Sequence, residues 1–420
     1  MKDTHSNPDN PLDYIKQFLS KIEFENGVVV KFNEITEVAK GLLETKKFPN
    51  WIEGIDLLGF CLNEAAKFKK AYNGKMSDDD LQVESLRIEQ KLNNIPLEYE
   101  FYFEMPEGLK LKKGLVIAEG IKIFQANDEI MHSISESNTS TYREKIIDFT
   151  AVLHGLPEKV EPKYKNLQNG KTYLSIKTKG LVSNISTITV DIDPLHVYKI
   201  LIAFMKLKNI LNGGIGGLLQ EILGRGKAET HGKEALVFDD KLIYITSIDR
   251  PLDEYKYVSK LAFSDEIQEN PSKLKDELAD FSSLIVEMKN YYLNQERNKI
   301  INSLYWYFES LTSTNSSFKT VLLVSMFDSF FSINDNKEDK FKQILLINNP
   351  ALKPSKESDE WKALSALYNN RNDIAHGKVH LLEVDSKNKE NRDMKYIHDS
   401  KVQKLYDIYI QSKIDKLLVN

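Results

Sequence analysis

The chain has 420 residues, 41% of them apolar and 28% charged, which excludes a disordered chain and predicts buried cores in two or three domains. The net charge of −5 excludes a generally cationic nucleic-acid-binding protein, so a surface of that kind would have to be a local patch. The single cysteine, Cys61, excludes an internal disulfide and a multi-cysteine zinc site and favours a reducing cytoplasm.

Residues 1–95 are predicted to be mainly helical. Segments such as PLDYIKQFLSKI and FNEITEVAKGLLETKKF space their apolar residues three and four apart. Ser77 before three aspartates is typical of a helix start, and Asn26-Gly27 is typical of a hairpin turn. The N-terminus lacks the apolar core of a signal peptide, and no run approaches the roughly 20 apolar residues of a membrane span. We therefore expect a cytoplasmic protein with no membrane partner.

Residues 96–270 are predicted to be an α+β region. LEYEFYFEM, LVIAEGIKIFQ, KTYLSIKTKG, STITVDID and ALVFDDKLIYITSI are rich in β-branched and aromatic residues, which favours strands, with a turn at Asp239-Asp240. PLHVYKILIAFMKLKNIL is predicted to be a helix among them. Residues 271–420 are helical in pattern and open with a long periodic stretch from Ser272 to Leu311. The fold class predicted is α+β multidomain with a C-terminal all-α bundle.

The stretch RNDIAHG, residues 371–377, places polar and ionisable groups at the end of a predicted helix. That helix is expected to begin at Ser358, with two acidic residues in its first turn, and to stop at Gly377. An apolar stripe at helical spacing predicts its buried face: Trp361, Leu364, Leu367, Tyr368 and Ile374.

Arg371 and His376 are five residues apart, which is about 140° of rotation on an ideal helix. Their side chains would flank a surface and would not stack on one line. They would converge on one ligand if the helix bent near its end, or if a twofold axis brought the same patch of a second copy opposite.

These residue types suit RNA cleavage without a metal or another cofactor. An imidazole can take the proton of a ribose 2′-hydroxyl, and the freed oxygen can attack the neighbouring phosphorus. A guanidinium can hold the phosphate oxygens, and an amide such as that of Asn372 can donate a further hydrogen bond. Because DNA lacks the 2′-hydroxyl, this chemistry would select RNA.

The spacing alone is weak, since looser matches occur at Arg225 and His231 and at Arg392 and His398. Arg371 could equally be a surface arginine paired with a carboxylate, and His376 could be a histidine that caps the helix. The glycine-rich stretch 212–227 fails the phosphate-loop pattern, because Glu221 stands where that pattern needs glycine.

The flanks of the motif add information. RNDIAHG after a Leu-Tyr-Asn-Asn helix resembles the HEPN family, whose signature is an arginine, often followed by Asn, Asp or His, and then a histidine. INSLYWYFESL and FKTVLLVSMFDSFF further resemble the ApeA-like branch, in which a helix pair carries an acidic residue. That residue would be Asp328, where glutamate is common. The resemblance covers about residues 285–420.

The resemblance implies a HEPN-type endoribonuclease that leaves 2′,3′-cyclic phosphate ends. Arg371 and His376 would be the catalytic pair, Asn372 the polar residue beside the arginine, and Asp328 a looser match that orients Arg371. It also implies a homodimer through the bundle and a role in anti-phage abortive infection. Residues 1–270 would then be regulatory and respond to a phage-derived trigger. Lys378 replaces a tyrosine that is modified in some family members, which argues against that control.

Two rival hypotheses belong to other classes. The bundle could be a catalytically silent HEPN module that binds RNA or a protein partner. Alternatively, the N-terminal part could be a receptor whose bundle only dimerises.

Overall fold

A computed structural model of the chain describes the greater part of the sequence in separate segments. The predicted turns at Asn26-Gly27 and Asp239-Asp240 and the predicted stop at Gly377 lie outside them. The described residues are 10–21, 32–45, 48, 52–66, 76–106, 108–111, 113–127, 169–182, 188–213, 233–238, 241–246, 257–258, 260–290, 293–313, 316–332, 334–348, 355–376 and 389–417.

The described part of the first 95 residues is helical, as predicted. Ser77 caps the fourth helix, because its Oγ accepts the backbone N–H of Asp80 at 3.3 Å. The buried faces of the four helices share one apolar core, which also takes in Leu181 from the sheet. The helices are α1 (Pro11–Ser20), α2 (Phe32–Thr45), α3 (Gly54–Ala66) and α4 (Asp78–Leu92).

The strands that follow are β1 (Leu97–Glu104), β2 (Leu115–Ala118), β3 (Ile121–Gln125), β4 (Thr172–Val182), β5 (Ile188–Val190), β6 (Leu211–Gly213), β7 (Lys233–Phe238), β8 (Lys241–Thr246) and β9 (Leu261–Phe263). Most of them form an antiparallel sheet with strand order β2-β3-β4-β1-β7-β8, and β5 pairs with one end of β4. The stretch LVIAEGIKIFQ forms two of the strands, because Gly120 takes a φ of +76° and turns the chain between them. Strands β6 and β9 form a separate pair.

Helix α5 (Pro194–Leu207) connects the sheet to the helices that follow. On one side, the ring of Tyr198 stacks on Phe103 at 4.8 Å and its hydroxyl donates to the carbonyl of Glu104 at 3.0 Å. On the other side, Lys199 Nζ donates to Glu309 Oε1 at 2.7 Å. Most of α5 is therefore buried, which explains why its sequence is almost continuously apolar.

The described C-terminal residues are helical. The long periodic stretch that opens this region, Ser272 to Leu311, is divided into three separate helices. The last break has a clear cause: Asn294 Oδ1 accepts the backbone N–H of Arg297 at 3.0 Å, and the Glu287 carboxylate accepts the backbone N–H of Asn294. The helices are α6 (Asp265–Glu269), α7 (Lys273–Glu277), α8 (Ala279–Lys289), α9 (Gln295–Thr312), α10 (Ser316–Asp328), α11 (Lys337–Asn348), α12 (Asp359–Ala375) and α13 (Lys389–Leu417).

The main apolar core runs from Phe101 in the sheet to Ile414 in α13 without a gap at residue 270. The aromatic run in α9 contributes to it: Tyr307 and Phe308 are buried, and Trp306 packs against the edge of the core. The chain is thus an α+β protein, as the sequence predicts. In the described residues, no helix is long and apolar enough to cross a membrane.

His196 in α5 lies where the sheet region meets the bundle. The centres of the His196 and Tyr305 rings lie 4.8 Å apart in an edge-to-face arrangement. The Nε2 atom of His196 is buried and has no hydrogen-bond partner in the described structure. Burial lowers the pKa of His196, and the nearby Lys199 lowers it further, although Asp193 and Glu309 oppose this. The folded state therefore favours the neutral ring.

We expect His196 to make the protein less stable in mild acid. Unfolding frees the ring to take a proton near its ordinary pKa of about 6.5, so the unfolded state binds more protons below that pH. Stability is then present above this pH and is lost as pH falls through it. Thermal unfolding of the wild type should shift down more between pH 7.5 and 5.5 than that of His196→Leu. Parallel shifts in the two proteins would contradict the assignment.

Candidate active site

The RNDIAHG stretch closes α12, and the predicted start of that helix is confirmed. Ser358 Oγ accepts the backbone N–H of Trp361 at 3.2 Å and caps the helix. At the other end, the backbone N–H of His376 donates to the carbonyl of Asn372 at 2.9 Å, and His376 is the C-cap of the helix. The predicted apolar stripe is buried except for Ile374, which is half-buried because it lies in the last turn.

Asp328 ends α10 and brings three donors together. Its Oδ1 accepts the hydroxyl of Tyr368 and the Nζ of Lys340, both at 2.8 Å. Its Oδ2 lies 3.5 Å from Nη2 of Arg371. The Asp328 carboxylate at the end of α10 thus contacts side chains of both α11 and α12. It pairs with two cations, so Asp328, Lys340 and Arg371 together carry one net positive charge.

Tyr368 contacts this cluster from the buried face of α12. Burial, and next the Asp328 carboxylate, raise the pKa of Tyr368 well above its ordinary range, so the hydroxyl remains a neutral donor. The guanidinium carbon of Arg371 lies 6.0 Å from the centre of the Tyr368 ring. The Nε of Arg371 is buried and has no hydrogen-bond partner in the described residues, although the side chain is 35% exposed.

Asn372 and His376 are exposed at the same end of α12. Within the described part of the chain, neither side chain makes a hydrogen bond, and the contacts of Arg371 do not include His376. The structure therefore brings Asp328 and Arg371 together and places Asn372 and His376 near them on one helix end. It does not join the arginine and the histidine within a single chain.

Two members of the cluster were not singled out from sequence. The sequence places Tyr368 in the apolar stripe alone, although its hydroxyl donates a hydrogen bond to Asp328. Lys340 lies in KEDKFKQ, where alternating charges resemble an ordinary solvated helix face, yet its side chain is only 13% exposed. Only its contact with Asp328 at the end of α10 distinguishes it, and no local sequence pattern carries that information.

The other sequence features add no second site in the described structure. The stretch 214–232, which includes Arg225 and His231, lies outside the described residues, as do Lys378 and the side chains of Arg392 and His398. No group of histidine, cysteine and carboxylate side chains suited to a metal ion occurs among the described residues. No family model, curated protein or solved structure matches the chain.

Proposed function

We propose that the chain is a metal-independent endoribonuclease of HEPN type, with residues 271–420 as its HEPN bundle. The observation that carries this proposal is the end of α12, where Arg371 pairs with Asp328 while its Nε has no hydrogen-bond partner in the described structure. Five residues on, the His376 imidazole is exposed and makes no hydrogen bond within the described residues. A surface arginine needs no such support, whereas a phosphate-binding arginine does.

The proposed reaction is an internal transfer. The His376 imidazole accepts the proton of a ribose 2′-hydroxyl, and the 2′-oxygen forms a bond to the adjacent phosphorus. The bond from phosphorus to the 5′-oxygen breaks, and that oxygen takes a proton from an imidazolium or from water. Arg371 and Asn372 donate to the phosphate oxygens while negative charge builds on them. The products are a 2′,3′-cyclic phosphate and a 5′-hydroxyl.

A homodimer would complete this site. In one chain, the described contacts leave Arg371 and His376 apart. A twofold axis at the end of α12 would place two copies of each around one RNA strand. One imidazole could then accept the proton of the 2′-hydroxyl while the other supplies the proton to the leaving oxygen.

The biological role we propose is cytoplasmic anti-phage defence by abortive infection, in which cleavage of host or viral RNA arrests growth. Residues 1–270 would restrain the nuclease until a phage-derived trigger appears. The continuous core between sheet and bundle supports such coupling, because α5 contacts both.

A catalytically silent HEPN module is the alternative, and one observation favours it. Asp328 already pairs with Arg371 in the single chain, so the arginine could be structural. RNA-binding without cleavage would then be the activity.

Sequencing of RNA ends distinguishes the two. Bacteria that express the wild type or His376→Ala are sampled with and without phage infection, and the chemistry of the new ends is determined. The nuclease predicts 2′,3′-cyclic phosphate ends in the wild type alone. Identical RNA profiles for the two proteins under both conditions, or new ends with 3′-hydroxyls, would reject it.

A further inference from the structure

Lys337, at the start of α11, is a cation without a carboxylate partner in the described residues. Its Nζ donates to Oδ1 of Asn369 at 2.7 Å and lies 5.6 Å from the centre of the Phe341 ring. An amide and a ring face orient the ammonium group, but neither cancels its charge.

The neighbouring lysines differ in this respect. Lys340 pairs with Asp328, Lys342 lies 3.7 Å from Asp339, and the ammonium of Lys356 contacts the Glu338 carboxylate. The acidic groups next to Lys337 on α11 are thus engaged by other cations. In the described residues, no carboxylate offsets the charge of Lys337 on the surface formed by α11 and α12.

This charge stands beside the candidate active site. The rings of Phe341 and Tyr368 meet edge to face at 5.3 Å. Lys337 lies over the first ring and Arg371 over the second, so the two cations share one aromatic support. Asn369, which holds Lys337, precedes Arg371 by two residues, so their side chains leave α12 on different sides and the pair of rings is what links the two cations.

The surroundings suit an anion. The amide oxygen of Asn369 is used by Lys337, and its exposed amide nitrogen makes no hydrogen bond in the described structure, which leaves it as a donor. Partial burial lowers the pKa of Lys337, and a bound phosphate would offset this by favouring the charged form. Lysine ammonium groups are common point-charge ligands of phosphate.

We propose that Lys337 and Asn369 form a second phosphate-binding position, which holds the backbone of an RNA strand next to the phosphate at Arg371. The inference rests on the proposed function for the identity of the ligand. Contact is with the phosphate and not with a base, so the position adds affinity and no sequence preference.

The test measures binding and needs no cleavage. The full chain is titrated with a single-stranded 2′-O-methyl RNA, which lacks the attacking hydroxyl, at several salt concentrations. Each lost phosphate contact reduces the slope of log K against log salt by about 0.7 for a single strand. We expect Lys337→Gln to show this reduction and Lys337→Arg to restore the wild-type slope. Lys342→Gln, which removes a paired lysine from the same helix, should leave the slope unchanged.

The outcomes separate this inference from the nuclease itself. If Lys337→Gln and Lys342→Gln give the same slope, or the wild type does not bind the strand, the second phosphate position is rejected whatever the RNA ends show. If the slope changes but no cyclic phosphate ends appear in cells, the phosphate position stands and the nuclease fails. Where cleavage is measurable, Lys337→Gln should raise KM and leave kcat unchanged, because the contact is the same in substrate and transition state.

Discussion

Replacing His376 by alanine is expected to lower the rate of RNA cleavage by about 10²- to 10⁴-fold, the usual contribution of a general base. The fold should not change. The ring is exposed and makes no hydrogen bond in the described residues, and the helix end depends on the backbone N–H of residue 376, which alanine keeps. Cleavage is measured with a labelled RNA, and thermal unfolding is followed in parallel.

Substitution of Arg371 tests the same reaction at the group that is proposed to bind the phosphate. Arg371→Ala should reduce cleavage by about 10²- to 10³-fold, since a donor to the developing charge is lost. Asp328 would still accept Tyr368 and Lys340, so the cluster stays paired. Arg371→Lys should recover only part of the rate, because an ammonium lacks the fork of donors.

The control for these variants is Lys362→Ala, an exposed position on the same helix whose partner is Glu357. It should cleave like the wild type. Wild-type cleavage by His376→Ala would remove the imidazole from the mechanism, and loss of folding in Arg371→Ala would assign the arginine to structure.

The local features of α12 could be predicted from sequence because they depend on neighbours in the chain. The cap at Ser358, the acidic first turn and the buried stripe follow from helix geometry. The contact between Arg371 and Asp328 cannot be predicted from local sequence, because 43 residues separate them and only the packing of α10 against α12 brings them together. The family resemblance predicts a role for Asp328, whereas the spacing of residues does not.

Lys340 and Lys337 show what the sequence could not reveal. Both stand in a charged stretch that predicts an exposed face, and they are three residues apart on one side of α11. Lys340 is partly buried and pairs with Asp328, whereas Lys337 donates to an amide on α12. These differences come from which charges the neighbouring helices present, and that is a property of the tertiary fold.

The unbroken periodicity from Ser272 to Leu311 predicted more helix continuity than the structure has. Hydrophobic spacing continues through the breaks, because each piece packs against the same core. The break before α9 depends on a cap at Asn294 and a carboxylate at Glu287, which periodicity does not record.

Removing one partner of the ion pair between Lys199 and Glu309 is expected to destabilise the chain by about 3–5 kcal/mol. The two side chains are only 10% and 19% exposed, and their atoms lie 2.7 Å apart. Glu309→Leu would leave a largely buried ammonium without its carboxylate. Urea unfolding of the wild type and this variant, followed by far-UV circular dichroism, measures the loss.

The double variant Lys199→Met/Glu309→Leu separates the electrostatic effect of losing the Glu309 carboxylate from simple loss of packing. It should regain most of the stability lost by Glu309→Leu, because apolar side chains of similar size replace both charges. Equal losses in the single and double variants would contradict the buried-charge explanation. Since Lys199 is in α5 and Glu309 in α9, the loss should appear in sheet and bundle together. In a Trp51→Phe background, tryptophan fluorescence comes from Trp306 and Trp361 and reports on the bundle. A shift of that transition alongside the far-UV transition would then show that one cooperative core spans residue 270.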